Sequence, residues 1–396
     1  MNVDERAGLK SGFLCAIDSL KEKVTALSAF IFDNPEPAFK EFKTSGAMQD
    51  FLREHGFQVE TAIAGMETAF RATLGSGAPV IALLAEMDSL PELGHACGHN
   101  IVGAASVGAA SALSQVLDAE FKRGGHGTLM VLGTPAEEEG HGKTEMVAAG
   151  VFGSIDAAMM VHGSSRRMVS KHFLGLSVLH FTFSGRAAHA SAYPEEGINA
   201  LNAVIQTFNA INALRQHVPS DVRIHGIVTD GGKAANIVPE TASAEFFVRA
   251  FAMDEVESLK ERVIKCARGA AEATGCTLEV TEVGEPNAPM KINRAFAAAY
   301  KDSLRQLGLK EDEYKPDKNL GSSDIGNVSQ VVPSIHPNVP LRKGIAVHTR
   351  DFAVAAGGPD GHRATIEGAS ALGLTAIELL FNTELLESVK KDFASS

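Results

Sequence analysis

Cysteine is scarce: four residues in 396, at Cys15, Cys97, Cys266 and Cys276, too few and too dispersed for a disulfide framework. Each thiol has to be read by its neighbours. Positive charge is also short, with 36 Lys and Arg against 48 Asp and Glu. The resulting net charge of −12 works against a phosphate backbone or an anionic membrane surface. No nucleic acid and no membrane is expected as a partner. No apolar run reaches the ~18 residues of a membrane span, and the first six residues lack the basic stretch that opens a secretory leader. The expectation is a cytoplasmic chain. Internal repeats and low-complexity tracts are missing too. What remains, 45% hydrophobic and 21% charged residues, suits a globular protein of about two domains.

The apolar pattern predicts helices over 11–32 and 44–55, broken at Asn34-Pro35-Glu36-Pro37. Residues 80–85 are almost wholly apolar, which predicts a strand buried on both faces. Residues 128–133 and 157–161 read the same way, and 100–117 as an Ala-rich helix whose Gly and Ser residues require close packing. The three strands run into Glu86 and Asp88, Glu137-Glu138-Glu139, and His162. Open α/β sheets place their sites beyond the carboxyl ends of strands, so these ends locate a site and argue for an α/β domain with a mainly parallel sheet. From about residue 172 the pattern alternates. Strands at 174–184, 222–229, 241–250 and 277–283 interleave with helices at 198–216 and 254–274, the order of an inserted α+β ferredoxin-like unit. Helices at 293–307 and 359–380 return the chain to the larger domain.

Chemistry concentrates in His95-Ala96-Cys97-Gly98-His99-Asn100, a thiol and two imidazoles at a glycine turn. Cys and His suit zinc and neighbouring transition metals, and carboxylates widen the choice to cobalt or manganese. Taken singly, each partner is ambiguous. Glu137-Glu138-Glu139 also reads as an acidic helix start, and His162 and His348 as structural histidines. Jointly, Cys97, His99, Glu138, His162 and His348 provide enough donors for two divalent ions about 3.5–4 Å apart sharing a water. Gly231-Gly232 reads as a turn, Ser322-Ser323-Asp324 as a pocket loop without a nucleophile elbow, and Cys15, Cys266 and Cys276 as core thiols.

The chain resembles the M20 family of metallopeptidases and amidohydrolases, in the branch with Cys in its metal motif. The resemblance rests on Ala85-Glu86-Met87-Asp88-Ser89-Leu90-Pro91, the 95–100 cluster, Thr134-Pro135-Ala136-Glu137-Glu138, Gly185-Arg186-Ala187-Ala188-His189-Ala190, Gly231–Pro239 and Gly321–Val328, in family order. Glu86-Met87-Asp88 and His348-Thr349-Arg350-Asp351-Phe352 place it nearest aminobenzoyl-glutamate hydrolase-like proteins and M20 dipeptidases. It departs from many M20 peptidases at Glu86, where they carry a metal-binding His.

The resemblance implies a catalytic domain over 1–171 and 288–396, with a lid/dimerisation domain over 172–287. It implies Cys97, His99, Glu138, His162 and His348 as ligands of two metal ions (zinc, manganese or cobalt), Glu137 as general base and Asp88 as the group orienting a ligand imidazole. The exchange of Glu137 and Glu138 stays open. His189 would stabilise the oxyanion from a partner subunit, which implies a homodimer. Asn236, Arg249 and Ser323 would bind the substrate, although His189 also reads as a loop residue and Arg249 as a strand-edge charge. The expected reaction is metal-dependent hydrolysis of an amide or peptide bond in a small carboxylate-bearing molecule, an N-acyl or N-aroyl amino acid or a dipeptide. A deaminase-like hydrolase and a catalytically inactive metal-binding regulator are the alternatives.

Overall fold

The structure is a computed structural model, which describes residues 1–122, 127–139, 141–313 and 320–395. The chain forms two compact units: Met1–His172 with Met290–Leu320 and Asn327–Ser396, and Phe173–Pro289 with Gly321–Gly326.

The first unit opens with α1 (Val3–Asp33), α2 (Phe42–Glu54), β1 (Gln58–Thr61), β2 (Phe70–Ser76), β3 (Val80–Glu86), α3 (His99–Lys122), β4 (Gly127–Thr134), α4 (Gly142–Ala148), β5 (Ala157–Met159) and β6 (His162–Ser164). Helix α1 starts eight residues before the predicted helix. The Asn2 side chain accepts the Glu5 N–H while the Glu5 carboxylate accepts the Asn2 N–H, a reciprocal cap that apolar periodicity does not register. Helix α1 buries Phe13, Ile17, Leu20 and Val24, which leaves Cys15 on its outer face. The expectation of a core thiol there is corrected: Cys15 is exposed, Cys266 half-buried and Cys276 buried, and all four cysteines are free.

The second unit holds β7 (Gly175–Ser184), α5 (Ala200–Leu214), β8 (Arg223–Asp230), β9 (Thr241–Ala250), α6 (Met253–Thr274) and β10 (Thr277–Glu282). The chain then continues through α7 (Arg294–Gln306), α8 (Ile325–Val331), β11 (Ser334–Ile335), β12 (Asn338–Pro340), α9 (Arg350–Gly357), α10 (Pro359–Phe381) and α11 (Thr383–Ser395).

The main sheet of the first unit runs β1-β2-β4-β3-β5-β11. Its β4-β3-β5-β11 part is parallel, and β1 and β2 join antiparallel. Every residue of β4 is buried, as is β3 from Ile81 onward, as strands covered on both faces require. Helices α1, α3 and α10 pack on one another in one continuous core. Helices α3 and α10 contain stretches, His99–Leu117 and Pro359–Phe381, long and apolar enough to cross a bilayer. Gly and Ser interrupt the apolar run in both helices. In the fold those stretches are 89% and 78% buried, because a helix apolar all round is covered by its neighbours.

Gly103 shows why α3 needs small residues. A Cβ there would stand 2.0 Å from Met48 Cε and 2.8 Å from the Glu86 carbonyl oxygen. The helix is thus seated directly against the end of β3, where the first acidic residue lies.

The second unit folds as β7-α5-β8-β9-α6-β10 into a wholly antiparallel sheet of order β10-β7-β9-β8, the ferredoxin-like arrangement. Strand β9 alternates buried and half-exposed residues. Its buried set (Ala242, Ala244, Phe246, Val248, Ala250) packs with α5 and α6.

Candidate metal centre

Loops after parallel strands deliver the chemistry of the first unit. Asp88 lies two residues beyond β3, Glu137 and Glu138 just beyond β4, and His162 at the start of β6. Cys97 and His99 flank Gly98, whose φ of 87° and N–H bond to the His95 carbonyl (3.1 Å) form the turn into α3. His348 comes from a distant segment, with its N–H on the Ala96 carbonyl at 2.9 Å. His348 and Ala136 both have left-handed backbones (φ 63° and 58°), conformations that non-glycine residues keep only where the surroundings impose them.

Cys97 Sγ lies 3.4 Å from His162 Nε2. His99 Nδ1 faces the Asp88 carbonyl at 2.9 Å and Asp88 Oδ1 at 3.1 Å, so Nδ1 carries a proton and Nε2 is the nitrogen turned to the other donors. That Nε2 is 3.4 Å from Glu86 Oε2, 3.9 Å from Glu137 Oε2 and 3.9 Å from Glu138 Oε1. Glu138 Oε2 stands 3.6 Å from His348 Nε2. His162 Nδ1 bonds the Gly163 carbonyl at 2.8 Å, which directs its Nε2 to Cys97.

Within the first unit three complete donor groups result: Cys97, His99 and His162; Cys97, Glu138 and His348; and His99, Glu137 and Glu138, with donor atoms within 4.8 Å of one another in each, and Glu86 lies within the same distance of Glu137. These spacings fit donors around a common cation, since bonds of about 2.0–2.3 Å in a tetrahedron set neighbouring donors roughly 3.3–3.7 Å apart. His99 Nε2 and Glu138 Oε1 are buried without a hydrogen-bond partner among the described residues, which an ion would satisfy. Two groups sharing Cys97 make this a site for two divalent ions.

The electrostatics of the metal-free chain agree. Burial opposes a charge on His99, but Cys97, Glu86 and Asp88 outweigh it and push its pKa well above the usual imidazole range. Burial likewise lifts the Cys97 thiol, against the pull of His99, so the donors form a thiolate–imidazole pair only when a cation joins them. Burial first, and then electrostatic repulsion from the neighbouring imidazoles, hold His162 well below the usual range, neutral as a ligand must be.

Of the remaining motif residues, His95 is buried with its ring 6.4 Å from Phe32 and joins none of the donor groups. Asn100 is also structural, donating to Ser28 Oγ and the Ala356 carbonyl.

Three buried polar residues escaped the sequence reading. His336 stacks toward His162, ring centroids 5.1 Å apart. Lys143, at the start of α4, places Nζ 2.6 Å from Glu86 Oε1, with both side chains fully buried. Glu41 supports the acidic loop: Oε1 accepts the N–H groups of Ala136 (2.9 Å) and Phe39 (3.0 Å), and Oε2 accepts the Thr68 hydroxyl (2.8 Å). None sits in a recognisable motif, and a polar residue in a loop carries no signal that it will be buried. Glu41→Ala leaves the Ala136 N–H and the Thr68 hydroxyl unpaired, at about 1–3 kcal/mol for each. Thermal unfolding should show a lowered Tm, and metal titration a weakened site; wild-type values of both would remove Glu41 from this role.

In the second unit, His189 and Asn236 are exposed neighbours, the Ala190 N–H donating to the Asn236 carbonyl at 3.0 Å. His189 Nδ1 accepts the Ala192 N–H at 3.2 Å, which leaves its proton on Nε2 as an outward donor. Arg249, half-buried on β9, donates from its guanidinium to Ser322 Oγ at 3.2 Å, beside buried Ser323.

The sequence pattern of the M20 peptidase dimerisation domain matches residues 174–289. Mouse Xaa-Arg dipeptidase is 34% identical over 389 residues, covering 95% of this chain and 90% of the relative. The chain belongs to the M20 family of metallopeptidases and amidohydrolases. Another relative, a p-aminobenzoyl-glutamate hydrolase subunit from Escherichia coli (strain K12), is 35% identical over 283 residues, 67% of this chain and 58% of that protein. The M20 fold is shared with a dinuclear metal binding peptidase of Bacillus subtilis: TM-score 0.71, 19% identity, covering 92% and 99% of the two chains. This M20 protein is thus a metal-dependent hydrolase with an inserted dimerisation domain, of the amidohydrolase and dipeptidase type.

Proposed function

We propose that this M20 enzyme hydrolyses the amide bond of dipeptides or N-acyl and N-aroyl amino acids, with Glu137 as general base. The observation that carries this reading is the convergence of Cys97, His99, Glu138, His162 and His348 in overlapping donor groups, with Glu137 beside His99 and Glu138. When bound, the two divalent ions supply Lewis acidity that activates a water and polarises the substrate carbonyl.

Within the chain, Asp88 holds His99 by Nδ1 and Glu138 by its backbone N–H (2.9 Å to Oδ2), so one carboxylate orients two ligands. Glu138 stands with two imidazoles, His99 and His348, which favours it as ligand, whereas Glu137 stands with His99 and among carboxylates. Glu137 accepts the proton of the attacking water and returns it to the leaving amine. The Nε2–H of His189 is the donor for the tetrahedral oxyanion, supplied across a homodimer, and such a donor is worth about 2.7–4 kcal/mol. Arg249, with Asn236 and Ser323, binds the substrate carboxylate, to which a guanidinium can donate two parallel bonds.

Two relatives narrow the substrate class by their names, an Xaa-Arg dipeptidase and a p-aminobenzoyl-glutamate hydrolase. Four free cysteines favour a reducing, cytoplasmic setting. The test is hydrolysis by the purified, metal-replete protein of a panel of dipeptides, N-aroyl amino acids and aryl amines, before and after chelation. Chelator-sensitive release of free amino acid from the first two classes is expected. Turnover of aryl amines alone would mark a deaminase-like enzyme, and binding without turnover an inactive regulator.

A further inference from the structure

We infer that Lys143 is a positioning residue that makes Glu86 an additional oxygen donor to the metal ion on His99. The inference rests on the two-metal reading above and concerns residues that the motif assignment leaves without a role. Glu86 ends β3 and is held on two sides, by parallel pairing with Thr134 of β4 and by α3, whose Gly103 lies against its carbonyl. Lys143 is equally fixed: the first turn of α4 presses so closely on the Glu137–Glu138 loop that a Cβ on Gly142 would stand 2.0 Å from the Pro135 carbonyl oxygen.

Between these two supports, Lys143 Nζ takes Oε1 of Glu86 at 2.6 Å. Oε2 then faces His99 Nε2 at 3.4 Å, the ring nitrogen that Asp88 does not hold. A carboxylate oxygen of Glu86 also lies within 4.8 Å of one of Glu137. A 3.4 Å separation matches two donors on one ion, with bonds of about 2.0–2.2 Å. Charge explains the lysine. Asp88, Glu137 and Glu138 already bring acidic groups to His99, so a further buried carboxylate needs a counter-charge. The Lys143 ammonium provides it, and the pair supplies an oxygen donor with no net charge.

The test uses the full-length protein, stripped and reloaded with Co²⁺. Ions per chain are measured by elemental analysis, affinity by chelator competition and coordination by the visible absorption spectrum. Wild type should take two ions. Glu86→Gln and Lys143→Met should each weaken one of the two about 10–100-fold and change the spectrum, as loss of a group orienting a ligand does. Lys143→Arg, which keeps a cation, should recover most of the affinity. The double variant Glu86→Gln/Lys143→Met removes both charges together and should fold with near-normal Tm yet show the same weakened ion. Wild-type affinity and spectrum in Glu86→Gln would overturn the inference alone, as would a Lys143→Met variant that loses Tm but binds both ions normally. Wild-type protein that takes up no cobalt would overturn the metal reading and this inference with it.

Discussion

Glu137→Gln should retain both metal ions and lose about 10²–10⁴-fold in kcat, the range a positioned general base contributes. The amide keeps the shape of the carboxylate and its place beside His99 (Oε2 to Nε2, 3.9 Å), but it cannot take a proton from water. The companion Glu138→Gln should instead lose metal, because Glu138 faces both His99 and His348. Steady-state kinetics with metal analysis on both variants decides the matter. Near-normal turnover in Glu137→Gln would refute its assignment as base, and metal loss in Glu137→Gln with retention in Glu138→Gln would exchange the two roles.

The second large effect falls on a residue that need not touch metal at all. Asp88→Asn should lower metal affinity about 10–100-fold, the usual consequence of removing the partner that orients a ligand. Asp88 accepts on both oxygens, from His99 Nδ1–H on Oδ1 and from the Glu138 N–H on Oδ2. An amide has one oxygen, so whichever way it turns, an NH₂ group confronts one of the two donors. Chelator competition would read the loss, and unchanged affinity would show that the ligands hold their places without it. The ionisation of Asp88 supports the same view. Burial alone would raise its pKa, but His99 and the N–H groups of Glu138 and Glu137 override it and bring it to about 2. A carboxyl lowered in the fold stabilises it fully above the ordinary value of 3.8, and that contribution fades only as pH falls toward about 2. Asp88 therefore remains an acceptor throughout the neutral range.

Much of this was readable from residue order because buried parallel strands leave an unambiguous trace. The apolar runs that became β3 and β4 are buried almost end to end, and polar residues directly after such runs have to surface at the strand ends. Alternation in 241–250 likewise identified β9, a strand with one covered face. The trace fails where a local hydrogen bond or a distant neighbour decides. The start of α1 depends on the reciprocal Asn2–Glu5 cap, and the exposure of Cys15 on which side of that helix meets the core. The short strands β11 and β12 exist only because β5 and β6 offer them parallel edges.

The amino-acid sequence by itself determined which residue types reach the strand ends, a thiol, imidazoles and carboxylates, because hydrophobic burial orders the strands and expels polar groups to their termini. Only the tertiary structure decided how those groups face one another: His99 turned by Asp88, Glu138 aimed between two imidazoles, and Glu86 matched by Lys143 57 positions later in the chain. The reason is physical. The stability of a buried charge depends on a counter-charge a few ångströms away, and that distance is a property of packing rather than of order along the chain.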